Sequence, residues 1–183
     1  MNGYPKEQPI TILDLGCGGG DILRDVAQFG HQKGYSFKII GVDANENTLS
    51  YARELSQSFP DIEYLHCDIF SDEFARLEYD LVLISLFLHH FEDDKLENLL
   101  KGILDKASMG IVVNDLHRHP MAYFLFKLIT MFTTNEMARD DGLISILKGF
   151  KRGELMRISE NIGAGYTIKW KWAFRYQWII HSK

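Results

Sequence analysis

The densest chemical signal in the 183-residue sequence is the turn Gly16-Cys17-Gly18-Gly19-Gly20, flanked by the carboxylates Asp14 and Asp21. Glycines at this density let a chain turn sharply and bring bare backbone against a ligand. A dinucleotide fingerprint G-x-G-x-x-G starting at Gly16 requires a glycine where Asp21 stands, so a pyrophosphate cofactor fits poorly. Asp14 occupies a place that is apolar when a strand feeds a phosphate loop, and a carboxylate there suits a cationic cofactor. Two more acids follow at apolar runs, Asp43 in IIGVDAN and Asp68 in LHCDIF. An acid such as Asp43 can accept both hydroxyls of a ribose, whereas Asp68 reads either as a ligand contact or as a turn or cap carboxylate. Four histidines complete the set, His89 and His90 in LFLHHFEDD and His117 and His119 in NDLHRHP. A histidine can take a proton from a hydroxyl near neutral pH, or it can simply be satisfied by backbone at a helix start. No cysteine lies near these histidines, and no metal is assigned to them.

The elements that must carry these residues alternate in type. Short apolar runs at 11–15, 37–43, 62–68, 79–88 and 109–116 read as strands, and Asp14, Asp43, Asp68 and the four histidines fall at or just beyond the end of one. Residues 21–32, 47–58 and 93–106 place apolar side chains at helical spacing, and a short helix is expected near 71–76. Five strands separated by helices argue for a parallel sheet covered on both faces, because parallel neighbours need crossover connections. The tail differs. Residues 152–161 read as a helix, and two β-rich runs meet around Trp172 to Phe174 with no room for a helix between them, which predicts an antiparallel hairpin. The expected fold class is therefore α/β, a Rossmann-like, seven-stranded, mostly parallel sheet with a C-terminal antiparallel hairpin. No linker or repeat divides the chain, so residues 1–183 read as a single domain.

Residues 13–21, LDLGCGGGD, resemble motif I of the class I methyltransferases that depend on S-adenosyl-L-methionine (SAM), an acid followed by G-x-G-x-G. The resemblance implies SAM as cofactor and S-adenosyl-L-homocysteine (SAH) as product. It assigns Asp14, Gly16, Cys17, Gly18 and Gly20 to the methionine part, Asp43 and Ala44 to the ribose, Asp68 and Ile69 to the adenine, and Ser85 to a backbone contact. The LHHFEDD stretch resembles plant small-molecule O-methyltransferases, whose first histidine is a general base; that position is His89. It also resembles ubiquinone- and menaquinone-type C-methyltransferases, so it leaves the acceptor atom open. His117, from the neighbouring strand end, is the second catalytic candidate. Neither Asp-Pro-Pro-Tyr nor Asn-Pro-Pro-Tyr occurs here, which disfavours nucleobase and glutamine amino groups as acceptors. The family commonly carries helices ahead of motif I, where this sequence has about ten residues.

The formal charge of −5 and the pI near 5.8 give no broad basic field, so nucleic acid is not the expected partner. A small apolar or aromatic methyl acceptor is expected instead, methylated on oxygen first and carbon second. A non-catalytic SAM-binding or assembly protein of the same fold, and more remotely a nucleotide-cofactor oxidoreductase, are the alternatives. Two cysteines, Cys17 and Cys67, form no disulfide framework and read as packing residues. With no signal-like segment and no apolar stretch long enough to span a bilayer, a cytoplasmic location is expected. Residues 117–150 form an insertion that opens with PMAYFLFKLITMF, apolar almost all round. Met121, Tyr123, Phe124, Leu125, Phe126, Leu128, Ile129, Met131 and Phe132 cannot all face one core from a single helix, so this segment is expected to cap a pocket or to form a homodimer interface. Arg139, Asp140 and Asp141 read as a solvated loop.

Overall fold

A computed structural model describes residues 8–131 and 136–182. From the N-terminus the chain forms β1 (Ile10–Leu15), α1 (Asp21–Lys33), β2 (Phe37–Asp43), α2 (Glu46–Leu55), β3 (Ile62–His66), α3 (Asp72–Ala75) and β4 (Leu81–Ser85). A 3-10 turn at Leu88–His90 leads to α4 (Asp93–Leu104), β5 (Gly110–Leu116), α5 (Pro120–Thr130) and α6 (Glu136–Lys148). The chain continues with α7 (Arg152–Asn161), β6 (Tyr166–Lys171) and β7 (Arg175–Ile180). The seven strands lie in the order β3-β2-β1-β4-β5-β7-β6. The first five are parallel, and β7 runs antiparallel to both β5 and β6. This is the Rossmann-like sheet and closing hairpin that the sequence implies. The order reverses between β1 and β4, so the loops leaving their carboxyl ends diverge to opposite faces and open a crevice.

Each face is sealed by helices whose stripes the sequence sets. On one side α1 buries Leu23 and Ala27 and α2 buries Leu49 and Ala52 against Ile12 and Ile39. The Asn45 side chain starts α2 by accepting from the backbone N–H groups of Asn47 and Thr48. On the other side α4 presents Leu96, Leu99, Leu100 and Ile103, at i, i+3, i+4 and i+7, and α7 adds Leu155 and Ile158. Each such side chain contributes roughly 1.5–3 kcal/mol on burial, more than helix propensity supplies per residue. Trp178 is fully enclosed on β7, and its indole N–H donates to Ser159 Oγ at 3.0 Å, so the polar atom it buries is satisfied.

Three local expectations change. The fourth strand, read as 79–88, stops at Ser85: Leu86 takes a left-handed φ of 52°, and Leu88 N donates to the Asp115 carboxylate, which begins the 3-10 turn. The third strand ends at His66, and the next residues turn around Asp68, whose Oδ1 accepts from Phe70 N. The loop expected at 139–141 is helical, within α6. Phe132 lies outside the described residues.

Candidate active site

Gly16, Gly18 and Gly20 have φ values of 67°, 52° and 71°, the left-handed region that side-chain-bearing residues rarely adopt. The alternation of the glycines in the sequence is thus an alternation of backbone conformation. The end of β2 grips the turn: Val42 O accepts from Gly16 N and Cys17 N, and Asp43 Oδ2 accepts from Gly18 N at 3.1 Å. Asp43 Oδ1 accepts from Asn45 N at 2.9 Å. Asp43 therefore fixes the loop while each oxygen keeps a second lone pair, the capacity needed for a ribose diol. Steric demands differ along the turn. A Cβ on Gly20 would overlap the Tyr64 hydroxyl and one on Gly16 would overlap the Phe87 ring, whereas one on Gly18 would meet nothing within 4 Å among the described residues beyond its chain neighbours.

Behind the loop stands a network that sequence reasoning missed. Arg24 Nη1 donates to Gly19 O at 2.7 Å and to Ser56 Oγ at 3.2 Å, and Ser56 Oγ also bonds the Tyr64 hydroxyl at 2.8 Å. Arg24 sits one turn into α1 and Tyr64 alternates inward on β3; only the pairing of β2 with β3 brings them together.

Asp14 is buried, and its Oδ1 has no hydrogen-bond partner among the described residues. Burial first, and then the nearby Asp21 and Asp43 charges, push its pKa up to about 8. A displacement of that size opposes the ionised form by on the order of 5 kcal/mol, so the carboxylate calls for a cation. The acids beside the glycine turn disfavour a pyrophosphate, and a cation such as the ammonium or sulfonium of SAM would favour the ionised form of Asp14. The Cys17 thiol, also raised by burial, is a packing group.

The remaining cofactor candidates ring the same crevice. Ala44 is exposed after β2, and its carbonyl accepts from His66 Nε2 at 3.0 Å. Asp68 is exposed in its turn after β3. A row of edge-to-face rings, Phe70 on Phe91 and Phe91 on Phe87, runs from that turn back to Gly16. Ile69, in contrast, packs toward α3 and α4 and lines a separate cleft of about 300 Å³ with Phe74 and Leu99. Ser85 ends β4 opposite Asn114 of β5.

The four histidines do not converge on one pocket. His89 Nδ1 donates to Asp115 Oδ1 at 2.7 Å, both side chains only 3% exposed. Asp115 also accepts from Leu88 N and Leu116 N, so it is held from three sides. This fixes the tautomer and leaves Nε2 of His89 without a hydrogen bond among the described residues. His90 is exposed; partial burial and then the His89 charge lower its pKa. His119 is the N-cap of α5, its Nδ1 accepting from Met121 N. His117 lines an apolar cavity of about 470 Å³ with Leu86, Leu116, Leu125 and Phe126, and its Nδ1 is buried without a hydrogen-bond partner among the described residues. Burial, then His119, lowers its pKa, so the ring is neutral near pH 7. Leu86 faces this cavity while its neighbour Phe87 covers Gly16, so two consecutive residues join the cavity to the glycine turn.

Fold and loop together define a Rossmann-like domain built to hold SAM. The sequence model of the methyltransferase domain family matches residues 12–110, more than half of the chain, and the chain belongs to that family, within the class I SAM-dependent methyltransferases. It is 33% identical over 86 residues to a 2-phytyl-1,4-naphtoquinone methyltransferase of Thermosynechococcus vestitus, covering 47% of this chain and 37% of that one. It is 29% identical over 115 residues to a ubiquinone biosynthesis O-methyltransferase of a Ruegeria species, covering 62% and 44%. The chain thus spans less than half the length of these two relatives. The plantazolicin methyltransferase BpumL, solved in complex with SAH, superposes with a TM-score of 0.72 at 18% identity over 97% of this chain and 78% of that one, a likeness of fold.

Proposed function

We propose that this chain transfers the methyl group of SAM to an oxygen of a small, flat, apolar molecule held at the carboxyl ends of β4 and β5. The observation that carries this reading is the 470 Å³ cavity, whose walls are almost wholly apolar and which abuts the glycine turn through Leu86 and Phe87. Both curated relatives are named for quinone chemistry, and a quinol ring has the flatness and the acidic hydroxyl that such a cavity and a nearby histidine would serve.

When bound, SAM supplies an electrophilic methyl on a sulfonium centre. Asp14, Asp43 and the backbone of residues 16–20 would hold it, with Asp68 at the adenine end. The chain's own tasks are to align the acceptor, exclude water and remove one proton. A phenolic hydroxyl with a pKa near 10 is mostly protonated at neutral pH. His89 takes that proton at Nε2, because Asp115 holds Nδ1–H in place and stabilises the imidazolium that forms. His117 orients the acceptor from the cavity wall. The test is to incubate the protein with SAM and a series of water-soluble phenols and quinols, and to assign the product by mass and NMR. An aryl methyl ether with one SAH per turnover is expected. A ring-methylated product would move the acceptor to carbon, and SAM binding without turnover on any acceptor would leave a non-catalytic SAM-binding protein.

A further inference from the structure

The net charge of −5 is divided very unevenly. Residues 1–115 carry 20 acidic and 9 basic side chains, whereas residues 116–183 carry 5 and 11, so the two parts have net charges of −11 and +6. The second part also bears most of the exposed large apolar side chains. On α5 the positions 121, 124, 125, 128 and 129, spaced as i, i+3, i+4, i+7 and i+8, form an apolar stripe, and this stripe faces outward. Phe124 is 67% exposed and Ile129 71%, while the residues turned inward are Ala122 and Phe126. Met121, Phe124 and Leu128 on its outer side each stay more than half exposed among the described residues, an apolar surface with little packed over it. Trp172, in the β6–β7 turn and 87% exposed, lines the acceptor cavity together with Leu125 and Ile129, so the cavity mouth opens within the patch.

We infer that this face docks on an anionic lipid bilayer and takes its acceptor directly from the membrane, an inference that rests on the acceptor cavity assigned above. Charge complementarity selects this occupant. Lys127 on α5, Lys151 beside Phe124, and Lys171 and Arg175 beside Trp172 surround the apolar surface, and among the described residues none of the four makes a salt bridge. An apolar stripe ringed by cations is the pattern of a helix lying in the interfacial plane, where acyl chains cover the stripe and anionic headgroups meet the cations. A second copy of the chain would bring a like-charged rim against this one. No helix among the described residues is long and apolar enough to cross a membrane, so the contact is peripheral. The consequence for function is that a lipophilic acceptor reaches the cavity without passing through water.

The test is flotation of the full chain with vesicles of phosphatidylcholine alone and of phosphatidylcholine with about a third phosphatidylglycerol. Binding is expected to the anionic vesicles, to weaken as salt rises, and to be weak on the neutral ones. The double variant Lys127→Glu, Lys171→Glu should lower the partition coefficient at least about five-fold for each position. Phe124→Ser with Leu128→Ser should abolish binding. Turnover on a water-soluble phenol, measured without vesicles, should be unchanged in both. Equal affinity for both lipid compositions, no binding at all, or a dimer in sedimentation that Phe124→Ser with Leu128→Ser dissociates would each overturn the inference. Loss of turnover with vesicle binding intact would count against the site assignment instead.

Discussion

The two sides of the crevice, one for the cofactor and one proposed for the acceptor, are built by opposite means. Around β1, β2 and β3, recognition is written in backbone: three left-handed glycines, N–H groups taken up by Val42 and Asp43, and a buried carboxylate awaiting a cation. Around β4, β5 and α5–α6 it is written in side-chain shape, with apolar walls and few polar groups. Backbone recognition tolerates almost no change at a few positions, whereas a shape-defined wall can be repacked. The cofactor side should therefore fail abruptly on small substitutions, and the acceptor side should shift its preference.

The largest effect is expected at the proposed base, His89, whose ring Asp115 holds. His89→Asn keeps a donor for Asp115 but removes the base, and should lower kcat by about 10²- to 10⁴-fold with SAM affinity unchanged in a calorimetric titration. Equal loss of SAM binding would make His89 a strut of the cofactor site. Next comes Gly20→Ala, which adds a Cβ into the Tyr64 hydroxyl at a left-handed φ. Thermal unfolding should show a loss of roughly 2–4 kcal/mol, partly restored by Tyr64→Phe. A loss that ignores Tyr64→Phe would place the cost in φ alone. Asp43→Ala should weaken SAM binding by roughly 1–3 kcal/mol, and part of that loss should appear as loosening of the loop it anchors through Gly18.

This contrast also explains what was legible in the sequence. Positive φ restricts residue choice so severely that Gly16, Gly18 and Gly20 announce themselves, and the strand ends carrying Asp14 and Asp43 follow from apolar runs. The pairing of His89 with Asp115 spans 26 residues and exists only because β4 and β5 are neighbours. Each partner is visible in the sequence, but their contact is not. The helix α6 escaped because Met137, Leu143, Ile144, Ile146 and Leu147 are distributed around it and give no stripe, with Ile146 alone buried. Ile69 stands next to Asp68, yet a turn reverses the chain there and sends its side chain toward α4.

The central claim is that a cation completes the buried Asp14 site, and its pH dependence gives a direct measurement. In the ligand-free protein this carboxyl stays protonated up to about pH 8, whereas in the unfolded chain it ionises near pH 4. Between those values the native state holds the extra proton, so the contribution of Asp14 to ligand-free stability is greatest below pH 4, falls as pH rises, and levels off above pH 8. A bound cation favours the ionised form and expels the proton. Parallel calorimetric titrations with SAM, SAH and NAD at pH 6.5, in buffers of different ionisation enthalpy, should show SAM binding with release of up to about one proton. In Asp14→Asn that release should vanish, SAM should bind more weakly, and the ligand-free protein should melt higher at pH 8. Tight binding of NAD with no response to SAM, or SAM binding with the same proton release in Asp14→Asn, would contradict the account.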